Sequence, residues 1–282
     1  MPISQITILG TGLIGGSLAR SLKRRGVRIV GWDRPEVLEK AMELGVIDEM
    51  NLDPVRACKG SDVVVLATPV GGIIDLIERL GPLLPETTLL TDVGSTKQEI
   101  LSRARSVFGE ALKKRFLGGH PMAGKERSGI EQSSADIFQF STWIFISENS
   151  GEDLCSLAQE FVQLIQSLVV RVVYLKAEQH DRLCAWISHL PQMVSTALAS
   201  TLLEEASGNP VVYEIGGRAL REMTRIASSP YSMWRDVALT NADNIAEALH
   251  KLEQRISHIR ENLKTPELRA EFERANQFRR DK

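Results

Sequence analysis

The stretch that most constrains this chain is Ile6-Thr7-Ile8-Leu9 running straight into Gly10-Thr11-Gly12-Leu13-Ile14-Gly15, with a helical pattern of Leu13, Leu18 and Leu22 behind it. A G-x-G-x-x-G turn between a strand and a helix opens a βαβ unit that holds a dinucleotide. Gly10 allows the tight turn, Gly12 lets the backbone approach a pyrophosphate, and Gly15 lets helix pack on strand. Leu13 and Ile14 stand in the first helical turn, whose free N–H groups face the phosphates. Lys23-Arg24-Arg25-Gly26 closes the helix with late positive charges and a terminal glycine. Residues 27–32 read as the second strand, and Asp33 stands at its end. A carboxylate there hydrogen-bonds both ribose hydroxyls and repels a 2′-phosphate, so NAD is expected ahead of NADP. Arg34 works against that expectation, since an arginine at this place is the residue type that accepts the phosphate.

The pattern repeats. Residues 62–67 (DVVVLA) are an uninterrupted apolar run of the kind a doubly covered central strand needs, and residues 88–93, 116–118, 143–147 and 171–175 are further strand candidates with helical patterns between most of them. After Leu175 only helical periodicity remains: Leu183, Trp186, Ile187, Leu190, Val194, Ala197 and Leu198 follow 3/4 spacing, with Pro191 expected to kink or break that helix. The expected fold is α/β, an N-terminal Rossmann-type parallel sheet domain over residues 1–174 followed by an all-helical domain over 175–282, with a tight junction and a shared cleft. A length of 282 residues suits two such domains.

Lys+Arg 34 against Asp+Glu 36 gives a net charge of -2, which provides no electrostatic footprint for nucleic acid or an anionic membrane. Small-molecule partners are expected. Cys58, Cys155 and Cys184 are odd in number and far apart, forming neither a zinc knuckle nor a disulfide framework, so three reduced thiols are expected. No stretch approaches the roughly 20 apolar residues of a membrane span, and the N-terminus lacks a basic n-region, so the expected address is cytoplasmic.

Chemistry-bearing residues gather at strand ends, where open α/β sheets place ligands. Thr68-Pro69 ends the DVVVLA run, as a ligand contact or a plain turn. Asp92-Val93-Gly94-Ser95-Thr96-Lys97 follows the next strand: Ser95 reads as a site residue or as an N-cap, and Lys97 as a solvated first-turn charge. Gly118-Gly119-His120-Pro121-Met122-Ala123-Gly124 places His120 on a constrained loop. A neutral imidazole there accepts the proton of a hydroxyl undergoing oxidation, unless it is a structural loop histidine. In the helical half, Ser188-His189-Leu190-Pro191-Gln192 follows His180-Asp181. A buried, hydrogen-bonded His189 is the commoner meaning, and a metal held by His180 and His189 is disfavoured because more than two helical turns separate them. Arg225, near Arg221 and Arg235, suits a carboxylate ligand or an internal pair with Glu222 or Asp236.

Together GTGLIGGSLA, DVGSTK, GGHPMAG, AWISHLPQ and TRIASSPYSMWRDVALTN resemble the prephenate/arogenate dehydrogenase family of tyrosine biosynthesis nearly end to end, in its short, monofunctional form. The resemblance implies hydride transfer to NAD coupled to loss of CO2 from a cyclohexadienyl ring. Prephenate is the expected substrate and arogenate, or the substrate of another β-hydroxyacid or imine dehydrogenase, the alternative. It implies that His120 hydrogen-bonds the ring hydroxyl, that Ser95 helps position it, that His189 lines the substrate pocket, and that Arg225 clamps a substrate carboxylate. No metal is implied. A homodimer through the helical half is, and the stripe Leu268, Phe272, Ala275 and Phe278 needs a cover. The acidic limb of the pH–rate profile is expected in the ordinary histidine range.

Overall fold

Six strands, β1 (Gln5–Leu9), β2 (Arg28–Trp32), β3 (Glu49–Met50), β4 (Val63–Leu66), β5 (Leu89–Asp92) and β6 (Phe116–Leu117), pair in parallel in the order 3-2-1-4-5-6. They belong to a computed structural model that describes residues 3–169, 171–206, 209 and 211–280. Helices α1 (Leu13–Lys23), α2 (Pro35–Glu43), α3 (Pro54–Ala57), α4 (Val70–Leu80), α5 (Gln98–Phe108) and α6 (Leu112–Arg115) connect them. The apolar run in β4 has a simple cause. Val63 and Val65 face one core with Ile6, Ile8, Leu18 and Ile29, whereas Val64 and Leu66 face another with Leu9, Ile73, Ile77 and Leu90. A strand with period-two side chains and cores on both faces has no polar position to offer.

The expected parallel sheet is present, and beyond it the chain adds a second, smaller sheet. After two residues in β6 the chain crosses to a second sheet, β7 (Gly119–Pro121), β8 (Thr142–Ile146) and β9 (Arg171–Leu175), in which β7 runs antiparallel to β8 and β8 parallel to β9. Helix α7 (Ser156–Gln166) joins β8 to β9. Glycine makes the crossing possible: a Cβ on Gly119 would lie 2.8 Å from the Asp92 carbonyl oxygen. His120 therefore sits on a short strand rather than on a loop.

Beyond Leu175 every described element is helical: α8 (Ala177–Cys184), α9 (Leu190–Glu205), α10 (Val211–Ile215), α11 (Arg218–Thr224), α12 (Tyr231–Thr240), α13 (Ala242–Glu261) and α14 (Glu267–Arg280). The break expected at Pro191 is a single wide π turn, Ala185–His189, between α8 and α9. Proline has no N–H, and its ring displaces the preceding carbonyl, so the ladder widens just before it.

Two helices of the first half receive their caps from the second. Neither α4 nor α5 has a side-chain cap in its own segment. The Asp181 carboxylate accepts from the N–H groups of Lys97 and Gln98 at 2.7 and 2.9 Å, and Asp236 accepts from Gly71 N–H at 2.9 Å. An anion at a helix N-terminus satisfies orphan donors and opposes the helix dipole, so these contacts fix how the halves meet.

Candidate active site

A cleft of about 730 Å3 lies at the carboxyl ends of β1, β2 and β4, lined by Gly10, Gly12, Asp33, Arg34, Thr68 and Pro69 from the first half and by Ser232 and Met233 from α12. Gly10 has φ +102°, and a Cβ there would sit 2.6 Å from the backbone of Ala67; a Cβ on Gly15 would sit 1.9 Å from Gly10 O. Both positions exclude any other residue. Gly12 faces open space, with nothing within 4 Å of where its Cβ would be, and α1 begins after it without a side-chain cap. Leu13 is buried and Ile14 half-buried, and neither side chain lines the cleft. Asp33 accepts from Thr11 N–H at 2.7 Å and Arg34 N–H at 2.8 Å, which ties the end of β2 to the glycine turn. Arg34 is exposed and paired with Glu36 at 3.4 Å. The Thr68 hydroxyl is buried without a partner. Open backbone, free helix N–H groups, a carboxylate at the end of β2 and an orphan hydroxyl fit a dinucleotide.

Met233 also borders a second cavity of about 410 Å3, and there Ser95, His120, His189 and Arg225 come together. They arrive from different elements: Ser95 from the β5–α5 loop, His120 from β7, His189 from the end of the π turn, and Arg225 from the turn after α11. Ser95 does not cap α5, whose N-cap residue is Lys97. Lys97 is not a solvated charge either. Buried to 1%, its ammonium pairs with the fully buried Asp92 and donates to Gly119 O at 2.7 Å, next to His120. Asp92 in turn accepts from Gly119 N–H at 3.2 Å. The ion pair thus anchors both polar groups of the backbone residue that precedes His120.

His120 Nδ1 lies 2.9 Å from His180 Nε2, and His180 Nδ1 lies 2.7 Å from Asp181 Oδ1. The Cys184 sulfur is 3.5 Å from the same His180 Nε2. His189 Nδ1 lies 3.1 Å from Asn241 Nδ2, while its Nε2 is buried without a partner among the described residues. Arg225 is ion-paired with Glu126 of the loop after β7, not with Glu222 or Asp236, which bind Arg218 and Arg235.

Residues 18–171 match the family model described as prephenate dehydrogenase, nucleotide-binding domain, and residues 176–276 match prephenate dehydrogenase, dimerization domain. The chain belongs to the prephenate dehydrogenase family. Among its relatives is a prephenate dehydrogenase of Lactococcus lactis, 30% identical over 260 residues that cover 91% of this chain and 70% of that protein. A solved prephenate dehydrogenase from A. aeolicus, in complex with hydroxyphenyl propionate and NAD+, superposes with a TM-score of 0.83 at 30% identity, over 100% of this chain and 96% of that one. The arogenate dehydrogenase of Synechocystis superposes with a TM-score of 0.78 at 28% identity, over 98% and 99%. The fold and the dehydrogenase class follow from membership.

Burial sets the electrostatics of the three histidines. Removal from water holds His120 well below the ordinary histidine value of 6.5, reinforced by His180, Lys97 and His189. Burial also lowers His180, against the opposing effect of its hydrogen bond to the Asp181 carboxylate, and takes His189 to about 4. All three imidazoles are neutral at pH 7. The Cys184 thiol is pushed up to about 12, chiefly by burial.

Sequence reasoning named Asp92, Lys97, His180 and Asp181 without giving them a task in the site, and did not single out Asn241 or Glu126, the latter lining the cavity. A partial signal was available. A charged Asp-x4-Lys pair flanking a strand end, and a His-Asp dipeptide on an otherwise apolar helix face, are each costly to bury without a task.

Proposed function

We propose that this chain oxidatively decarboxylates prephenate to 4-hydroxyphenylpyruvate with NAD as hydride acceptor. The observation that carries the reading is a buried neutral histidine, His120, in a cavity that also holds Arg225 and adjoins the dinucleotide cleft at Met233. NAD, when bound, takes the hydride from the ring carbon that bears the hydroxyl. Gly10, Gly12 and Gly15, the first N–H groups of α1 at Leu13 and Ile14, Asp33, Thr68 and Pro69 hold it. Arg34 lines the same cleft and is paired with Glu36 at 3.4 Å, beside the Asp33 carboxylate that favours a ribose without a 2′-phosphate.

His120 Nε2 takes the hydroxyl proton as the ring carbon becomes a carbonyl carbon, and loss of CO2 then yields the aromatic ring. Ser95 borders the same cavity and helps hold the hydroxyl, and His189 lines the wall. Arg225 offers its planar fork to a substrate carboxylate, displacing Glu126. The nucleotide-binding unit is taken as 1–174 and the helical unit as 175–282, in line with the matched ranges 18–171 and 176–276. The helical unit pairs two copies.

Prephenate and arogenate differ only by a keto or amino group, and the likeness to a Synechocystis arogenate dehydrogenase supports arogenate as the second reading. The test assays prephenate and arogenate against NAD and NADP by nicotinamide absorbance. Highest kcat/KM with prephenate and NAD is expected, and absence of turnover with either acid overturns the reading.

A further inference from the structure

We infer that Asp181 and Asn241 lock the two cavity histidines in opposite tautomers, His120 with a bare, proton-accepting Nε2 and His189 with a hydrogen-donating Nε2–H. Asp181 Oδ1 accepts from Lys97 N–H at 2.7 Å and Oδ2 accepts from Gln98 N–H at 2.9 Å, so both oxygens act as acceptors at the N-terminus of α5. His180 Nδ1, 2.7 Å from Oδ1, must then carry the hydrogen of that contact. A neutral imidazole has only one N–H, which leaves His180 Nε2 bare. His120 Nδ1, 2.9 Å from that bare nitrogen, must donate to it, and His120 Nε2 is left with its lone pair for the cavity. The Cys184 thiol, whose sulfur is 3.5 Å from the same nitrogen, is compatible with a bare His180 Nε2.

The second histidine is set from the backbone of the same residue. Asn241 Nδ2 lies 2.9 Å from the Asp181 carbonyl oxygen, which can only accept, and Asn241 Oδ1 accepts from Asn244 Nδ2 at 2.7 Å. The orientation of the amide is thereby decided, and its remaining N–H points at His189 Nδ1, 3.1 Å away. His189 Nδ1 accepts, so its hydrogen is on Nε2. That nitrogen is buried without a partner in a side chain only 1% exposed, and His189 borders the cavity. A buried donor left unpaired is costly, and an oxygen of the bound substrate satisfies it.

The consequence for the reaction rests on the function proposed above; the tautomers do not. In the proton step the substrate O–H bond breaks and an Nε2–H bond forms on His120, while the Nδ1–H stays directed at His180. The positive charge that appears on His120 faces a relay ending in the Asp181 carboxylate. With the other tautomer His120 would present a hydrogen to the hydroxyl and could not serve as base. Asp181, His180 and Asn241 are thus positioning residues, in the manner of the carboxylate that orients the base of a hydrolytic triad.

Long-range proton–nitrogen correlation spectra of the histidine side chains, on the full chain without substrate near pH 7, read the tautomers directly. The expected result is Nδ1–H for His120 and Nε2–H for His189, and the reverse at either residue overturns the inference whatever the turnover. Correct tautomers with no turnover of prephenate or arogenate would leave the inference standing and sink the proposed reaction. Kinetics give the second reading. His180→Ala removes the acceptor and is expected to lower kcat about 100-fold with the KM for NAD unchanged, and His180→Gln, whose side-chain oxygen still accepts from His120, restores most of it. Asn241→Asp replaces the donor by an acceptor, forces the hydrogen onto His189 Nδ1, and is expected to raise substrate KM about 10-fold or more with a smaller change in kcat. Equal losses in both His180 variants, with the His120 tautomer unmoved, would show a packing role only and overturn the relay. Should a variant fail to fold, the wild-type spectrum decides alone.

Discussion

Strands β1, β4 and β5 are buried almost from end to end, whereas helices α11 and α14 contain no buried residue and α9, sixteen residues long, buries only Gln192 and Ser195. The two halves are held by different means. In the nucleotide-binding half, apolar side chains fill cores on both faces of the sheet, and the cleft rests on that frame. In the helical half the apolar cluster described is small, centred on Ala185, Val237 and Ile245, while the deeply buried groups include His180, Asp181, His189, Asp236 and Asn241. Apolar side chains such as Leu203, at 62% exposure, and Ile215, at 76%, stay outside. One half encodes its own stability; the other is organised around the site and around a surface still to be covered.

The largest expected effect lies at the seam. His120→Asn keeps a hydrogen-bonding side chain but removes the base, so kcat should fall by roughly 10²- to 10⁴-fold, with NAD affinity little changed because His120 does not line the dinucleotide cleft. A variant with near-normal kcat would remove His120 from the chemistry. Next comes the buried ion pair of the first half. Lys97→Met leaves Asp92 uncompensated, which should cost about 3–5 kcal/mol in urea unfolding; adding Asp92→Asn should recover part of it. A much smaller loss would show that the first half does not depend on this pair.

Arg225→Ala tests the other side of the seam. Loss of a charge-assisted hydrogen bond is worth about 1.5 to 3 kcal/mol, so substrate KM should rise roughly 10- to 150-fold with a much smaller change in kcat. Arg225 is 64% exposed and paired with Glu126, so little stability should be lost. If Arg218→Ala or Arg235→Ala raises KM instead, the carboxylate is bound by a different arginine.

The buried histidines give a pH signature. Folding lowers His120, His180 and His189 below 6.5, so between those depressed values and 6.5 the unfolded chain binds protons that the folded chain does not. Stability is therefore fully present above about pH 6.5 and declines as pH falls below it. Urea midpoints across that range check the sign, and a midpoint that rises on acidification would contradict it.

How much of this was legible in the sequence follows the same division. The glycine turn, the central strand and Asp33 could be read because backbone geometry demands glycine at Gly10 and Gly15, and a continuous apolar run can serve few other purposes than a central strand. His120 and His189 stood out by residue type. The groups that orient them did not, because a buried lysine, such as Lys97, has the same one-dimensional signature as a solvated one. Burial and pairing are decided by packing between β5, β7 and α8, elements brought together from residues 89 to 184. The crossing from β6 to β7 was hidden for a related reason: two consecutive glycines read as a loop until the neighbouring Asp92 backbone shows why no side chain fits.

The smallest effect concerns the uncovered surface of the helical half. In α14, Glu271 is drawn to α13 by Arg255 at 2.8 Å and His258 at 3.6 Å, with its side chain only 10% exposed. That polar contact fixes which way the helix turns, and it leaves Phe272 65% exposed instead of packed into its own domain. An aromatic side chain in water is stabilised by about 1.5–3 kcal/mol when fully buried, so a second copy laid over α14 gains from covering it. The match of residues 176–276 to a dimerization domain points the same way. Phe272→Ala is expected to weaken self-association by roughly 10-fold or somewhat more, with no change in the unfolding midpoint extrapolated to the dilute limit. Light scattering across a dilution series measures both states against a chain mass of 31.3 kDa. A wild-type protein that scatters as a monomer at micromolar concentration would leave Phe272 solvated and remove the reason for the contrast between the halves.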